Sequence, residues 1–191
     1  MDKRVPRISY NAPVTLTFAL LCLLALVLDA VTGGWTTVNL FEVYRCPLTP
    51  LAFFRFFGHV LGHSGPSHLA GNLGLLLVLG AGLEERYGSV SLFLAIAATA
   101  IVSGAIQFAF FPGTALLGAS GVVFMMILLS AFGGVRPGTI PLTLVFVFVF
   151  YLGGEAWDAL FVQDGASQMA HIIGGLCGTA AGFLFRSRDK E

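Results

Sequence analysis

The residues of this sequence able to do chemistry are few and sit among glycines. Gly118-Ala119-Ser120-Gly121 places a serine at the mouth of the apolar run 122–129. A serine at a helix start caps free amides. With bare backbone on both sides it can also act as a nucleophile that a substrate approaches closely, while amides at the helix start bind an oxyanion. Taken alone, the motif favours the cap. The second candidate is His171 in Ala170-His171-Ile172-Ile173-Gly174-Gly175-Leu176-Cys177-Gly178, followed by Gly182. At ~100° per residue, His171, Gly174, Gly175, Gly178 and Gly182 share one helix arc. Such a stripe lets another helix come very close. If that helix is the one opened by Ser120, His171 comes within reach of the hydroxyl as a general base; otherwise the stripe is a packing seam with an interfacial histidine.

His68 and Asn72 lie four residues apart, hence on one helix face, and both can donate side-chain hydrogen bonds to a developing oxyanion. His59 and His63 repeat the spacing. Three histidines also raise the question of a metal. No carboxylate interleaves them as in His-Glu-x-x-His, and no Cys, Asp or Glu in that span completes a tetrahedral set, so no metal and no cofactor is expected. A structural role for His59 and His63, bonding the polar connector before them, is the simpler reading. No acidic third member is tied by pattern to His171: Asp158 and Asp164 fall in the loop before it, and Asp29 and Glu155 near span ends. The expectation is a Ser-His dyad, with Phe124, one turn after Ser120, stacking on the imidazole or serving as plain core.

The elements that must position these residues are membrane spans. Of 191 residues 57% are hydrophobic and only 10% charged, with mean hydropathy +0.88, where a soluble domain carries about a quarter charged residues. Zero formal charge leaves no basic surface for nucleic acid. Apolar periods predict six spans, 14–31, 59–81, 90–110, 120–133, 140–156 and 169–185, within one domain over 14–185 flanked by tails 1–13 and 186–191. The first is read as a retained span and not a cleaved leader, because more membrane sequence follows it. The aromatic-rich segment 32–58 is expected in the membrane interface. The fifth span lacks the glycine stripe and is a candidate gate. Cys22, Cys46 and Cys177 have no metal-type spacing and cannot all pair.

With six spans both termini share a side. Lys3, Arg4, Arg7, Arg86, Arg136, Arg186, Arg188 and Lys190 fall on it, against Arg45 and Arg55 opposite. The positive-inside rule then puts both termini in the cytoplasm. The second, fourth and sixth spans start at the outer face, and their starting ends carry His59, His63, His68 and Asn72, then Ser120, then His171. Polar groups gathered at one membrane depth mark a function or a water-filled cavity.

These residues resemble the rhomboid family of intramembrane serine proteases. The matching motifs are Gly118-Ala119-Ser120-Gly121, Ala170-His171-Ile172-Ile173-Gly174 with Gly178, and His68-Leu69-Ala70-Gly71-Asn72. Glu84-Glu85-Arg86-Tyr87-Gly88-Ser89 is similar to the family's turn after the second span, and Phe54-Arg55 to its Trp-Arg element. The resemblance, over about residues 14–185, implies an all-α bundle of six transmembrane helices with a membrane-interface first loop over 32–58, and a cap near 157–168. It implies Ser120 as nucleophile and His171 as general base. Oxyanion stabilisation falls to His68, Asn72 and the backbone at Ser120 and Gly118, with Phe124, His59, His63, Gly174 and Gly178 in support. Phe54 stands where the family usually has Trp, and Phe124 where some bacterial members have Tyr. The implied activity is hydrolysis of peptide bonds in or near transmembrane segments of other proteins, in a bacterial inner membrane, with those proteins and the lipid bilayer as partners. The rivals are a catalytically inactive relative that binds membrane clients, and a small metal-handling transporter built on the histidines.

Overall fold

Proline and glycine decide where the helices of this chain begin and end. The computed structural model describes residues 9–135, 138–154, 157 and 165–188. Helix α1 spans Pro13–Val31, α2 Pro50–Gly58, α3 Pro66–Tyr87 and α4 Ser89–Phe110. They are followed by α5 (Ser120–Ala131), α6 (Leu142–Val147) and α7 (Gly165–Arg188). Three of these start on proline, whose missing N–H costs nothing there because that donor has no partner within the helix. Short π-helical turns at Thr37–Phe41 and Phe148–Leu152 follow α1 and extend α6. Gly88, at φ 81°, takes the left-handed conformation that turns α3 directly into α4.

Among the described residues α1, α3, α4 and the Gln168–Phe185 part of α7 are long and apolar enough to cross a membrane, while Ser120–Gly134 and Leu142–Leu152 are apolar but shorter. These six segments correspond to the six expected spans, and the protein is an all-α membrane bundle. The largest difference is in the second span, which runs Pro66–Tyr87 and not 59–81. Proline cannot sit inside a helix without losing a hydrogen bond, and glycines at 62 and 65 loosen the chain before it. His59 therefore becomes the C-cap of α2, and His63 lies in the turn that follows. The helix face they were expected to share does not exist. Lys3, Arg4, Arg7, Arg136, Lys190, Glu155, Asp158, Asp164 and most of the expected cap at 157–168 lie outside the described residues.

Two arginines order the connector between α1 and α3, Arg55 within the connector and Arg45 against α4. Buried Arg55 donates from Nε and Nη2 to the Asn39 carbonyl, at 3.1 and 2.5 Å, and lies over the Tyr44 ring. Arg45 donates from Nε and Nη2 to the carbonyls of Phe108 and Ala109, both at 2.7 Å, at the end of α4. Trp35, Phe53 and Phe54 stay exposed, as suits aromatic side chains at a membrane interface.

Helix α5 forms the centre. Most of its side chains are buried, the signature of a helix apolar nearly all round. Its twelve residues rise only about 18 Å, short of the ~30 Å hydrocarbon core. Just past its far end Gly133 packs on the Arg86 guanidinium at the close of α3. With that end near the polar boundary, the Ser120 end sits within membrane depth.

Helix α1 has no side-chain cap of its own. Instead Glu84 of α3 accepts the Val14 N–H at 2.8 Å, and the Thr15 N–H and hydroxyl, both at 2.9 Å. The Ser89 hydroxyl donates to the same carboxylate at 2.7 Å. A buried carboxylate there satisfies donors that α1 leaves open and matches the positive end of its dipole. Gly80, one turn earlier, leaves the space that Thr15 fills. Glu84→Ala is expected to destabilise the bundle by about 3 kcal/mol or more, since hydrogen bonds to a charged group contribute about 1.5–3 kcal/mol each. Equilibrium unfolding in mixed detergent measures the loss.

Candidate active site

The approach to Ser120 is the loop after α4, and the connector holds it in place. Val43 and Leu116 exchange antiparallel N–H···O bonds, both at 3.0 Å. The Gly118 N–H donates to the His59 carbonyl at 2.9 Å, and the Ala119 N–H to His63 Nε2 at 3.4 Å. Gln107 of α4 adds bonds from Nε2 to the Thr114 carbonyl and hydroxyl, both at 3.0 Å.

His59 and His63 act as spacers in this frame. His59 Nδ1 bonds the Arg55 carbonyl at 3.2 Å while Nε2 meets the Ser103 hydroxyl at 3.3 Å. His63 Nδ1 bonds the Leu61 carbonyl at 3.1 Å. His63, with a carbonyl on Nδ1 and the Ala119 N–H on Nε2, shows the pattern of neutral imidazole, whereas the Ser103 hydroxyl beside His59 donates to the Thr99 carbonyl at 2.7 Å. Burial, the leading cause, pushes both groups below the ordinary imidazole range. Among the described residues no three His, Cys, Asp or Glu side chains come together as a metal site would need, and the three cysteines are free.

Gly118 has φ 115°, a conformation closed to ordinary side chains. A Cβ there would stand 2.9 Å from Cε1 and Nε2 of His68 and 3.8 Å from Nδ2 of Asn72. The bare carbon thus opens the peptide before Ser120 to two side-chain donors. Asn72 is buried, and its Nδ2 has no hydrogen-bond partner among the described residues. An unmet donor of this kind costs about 1–3 kcal/mol unless something occupies it. His68 Nδ1 faces the amide and hydroxyl of Ser64, at 3.4 and 3.0 Å. Because the amide can only donate, Nδ1 is the acceptor, and the neutral ring carries its proton on Nε2, toward Gly118.

His171 arrives from α7. A Cβ on Gly121 would stand 3.1 Å from the Ala170 carbonyl, and one on Gly174 would overlap the Gly121 carbonyl. The immediate neighbours of Ser120 and His171 are therefore in backbone contact. The imidazole lies flat on Phe124, with centroids 4.2 Å apart and planes 3° from parallel. On the far side of Phe124, Tyr151 makes an edge contact at 5.8 Å, and Leu152 fills the notch at Gly175. Gly118, Ser120, Phe124, His171, His68 and Asn72 fall into one region, with His59 and His63 holding the loop beside it through a carbonyl and an imidazole. Two features have no sequence motif: the Val43–Leu116 pairing and Ser64. Pro66 marks a helix start, and so identifies Ser64 as the residue before the N-cap, close enough for a first-turn side chain to reach back to it.

A central, glycine-packed helix carrying a serine, a neighbouring helix carrying a stacked histidine, and two amide and imidazole donors beside the preceding glycine define a helical membrane protein with a polar site sunk in its core. The rhomboid domain family matches residues 50–188, and the chain belongs to that family. It is similar to Rhomboid-related protein 2 of Mus musculus, 28% identical over 162 residues that cover 76% of this chain. The chain spans about half the length of that relative, 52%.

Gly174 tests the helix contact. Gly174→Ala forces α5 and α7 apart, and overpacking of this kind costs about 1–3 kcal/mol. Gly74→Ala, where a Cβ meets nothing within 4 Å, is expected to leave stability unchanged or slightly raised. Thermal unfolding of both variants in one detergent checks the difference.

Proposed function

We propose that the protein is an intramembrane serine endopeptidase that cuts peptide bonds in or beside transmembrane segments of other membrane proteins. The observation that carries this reading is the backbone contact of Gly121 with Ala170 and Gly174, together with the flat stacking of His171 on Phe124. It brings the serine and histidine ends of α5 and α7 to one place.

In this mechanism His171 accepts the Ser120 proton as Oγ attacks the substrate carbonyl carbon. The oxyanion that forms takes hydrogen bonds from Asn72 Nδ2, His68 Nε2 and the Ser120 amide. As the intermediate collapses, His171 returns the proton to the leaving amine, and the carbon–nitrogen bond breaks. Water, deprotonated by His171, then releases the acyl group and restores Ser120. No cofactor or metal takes part. Water must reach this depth, and the polar groups of the loop and connector supply its route. A substrate helix has to unwind before its carbonyl is reachable, so helix-weakening residues near the cut are favoured. The proposed orientation has both termini in the cytoplasm of a bacterial inner membrane, with the site toward the outer face.

Purified protein is expected to react with a serine-directed fluorophosphonate and to cleave a transmembrane reporter in liposomes. Ser120→Ala and His171→Ala are each expected to cut at least about a thousand-fold more slowly. Wild-type protein that neither labels nor cuts would instead fit a client-binding protein, and cleavage by Ser120→Ala would move the nucleophile elsewhere.

Substrate entry is proposed beside α6, whose π-helical extension meets the site through Leu152 at Gly175 and Tyr151 on Phe124. A disulfide cross-link from α6 to α3 is expected to block cleavage of the membrane reporter while fluorophosphonate labelling persists. Unchanged cleavage would count against this route.

A further inference from the structure

Ser64 lies outside the helices and belongs to none of the motifs named above, yet it meets the ring of His68 twice. Helix α3 starts at Gly65 as N-cap and Pro66 as first helical residue, which makes His68 the third. A side chain at that position can reach back to free donors before the helix, as the acidic member of a capping box does. Here the imidazole does so. Its Nδ1 faces the Ser64 N–H at 3.4 Å and the Ser64 hydroxyl at 3.0 Å. The ring has two further constraints: His63 abuts it at 5.0 Å between centroids with planes 68° apart, and Gly118 borders its Nε2 side.

We infer that Ser64 is a positioning residue for the oxyanion site, holding His68 in the tautomer and orientation that aims its Nε2–H past Gly118 at the developing charge. The inference rests on the protease reading for its effect on rate, but the tautomer exists independently of it. Without the hydroxyl, the ring keeps only the longer amide contact. It then samples the Nδ1–H form, in which Nε2 becomes an acceptor and repels an oxyanion. Because the ground-state carbonyl asks less of this donor than the transition state does, the loss falls on turnover and not on substrate binding.

Two measurements test this. In nitrogen-15 spectra of the full-length protein, His68 is expected to be protonated at Nε2 in the wild type, with a larger Nδ1–H fraction in Ser64→Ala. In cleavage of the transmembrane reporter, Ser64→Ala is expected to lower kcat about ten-fold, a fraction of what losing a whole oxyanion donor costs. KM should stay unchanged, and Ser64→Thr should restore the rate. In a His68→Ala background, Ser64→Ala should add no further loss. An unchanged His68 tautomer in Ser64→Ala overturns the inference, as does an equal further loss of kcat without His68. If the wild type neither cuts nor labels, the protease reading fails, while the nitrogen-15 comparison still decides whether Ser64 sets the tautomer.

Discussion

The crossing of α5 and α7 is made backbone to backbone, and the positions of the other groups at the site follow from how close those two helices come. Gly174 lies over the Gly121 carbonyl, Gly178 over the Met125 carbonyl, and Gly182 against the Phe132 ring. In a bilayer no hydrophobic effect draws helices together, so close contact of small residues supplies the attraction. Three glycines along one face hold the two axes together over most of the length of α5. The ring of His171 at the head of the same face lies flat on Phe124.

A second constraint comes from the backbone of the loop before Ser120. Amides and carbonyls at membrane depth must find partners, and this loop finds them in the connector: Val43, the His59 carbonyl and the His63 imidazole. The connector is in turn anchored to α4 through Arg45 and held together internally by Arg55, whose guanidinium groups bond main-chain carbonyls. The segment thus supplies hydrogen bonds that water would supply elsewhere. Among the described residues Asn72 Nδ2 has no partner; in the proposed protease, a donor held ready in a rigid frame costs no reorganisation when charge appears.

Outside the site, one buried carboxylate closes a helix end. Glu84 meets the open amides of α1 and the hydroxyl of Ser89, fixing α1 against the α3–α4 turn. This anchor stands near the opposite end of α3 from His68 and Asn72. One helix therefore carries a stabilising carboxylate at its close and two donors at its start, with glycines and leucines between.

Much of this was legible in the sequence because it rests on local periodicity. The glycine stripe with His171 at its head, the serine opening an apolar run and the pairing of His68 with Asn72 are spacings within single helices, and helix geometry converts spacing into a shared face. Composition fixed the membrane setting, since so few charges cannot cover a soluble surface. Tertiary structure alone decided what each face meets. The apolar run around His59 and His63 read as helix, but Pro66 and its glycines break it, and the His59 carbonyl and the His63 imidazole serve the loop from outside the span. Glu84 lies about seventy residues from the amides it caps and Val43 about as far from Leu116. No period encodes such pairings; they arise when helices pack and buried backbone groups must find whatever partner the crossing brings within reach.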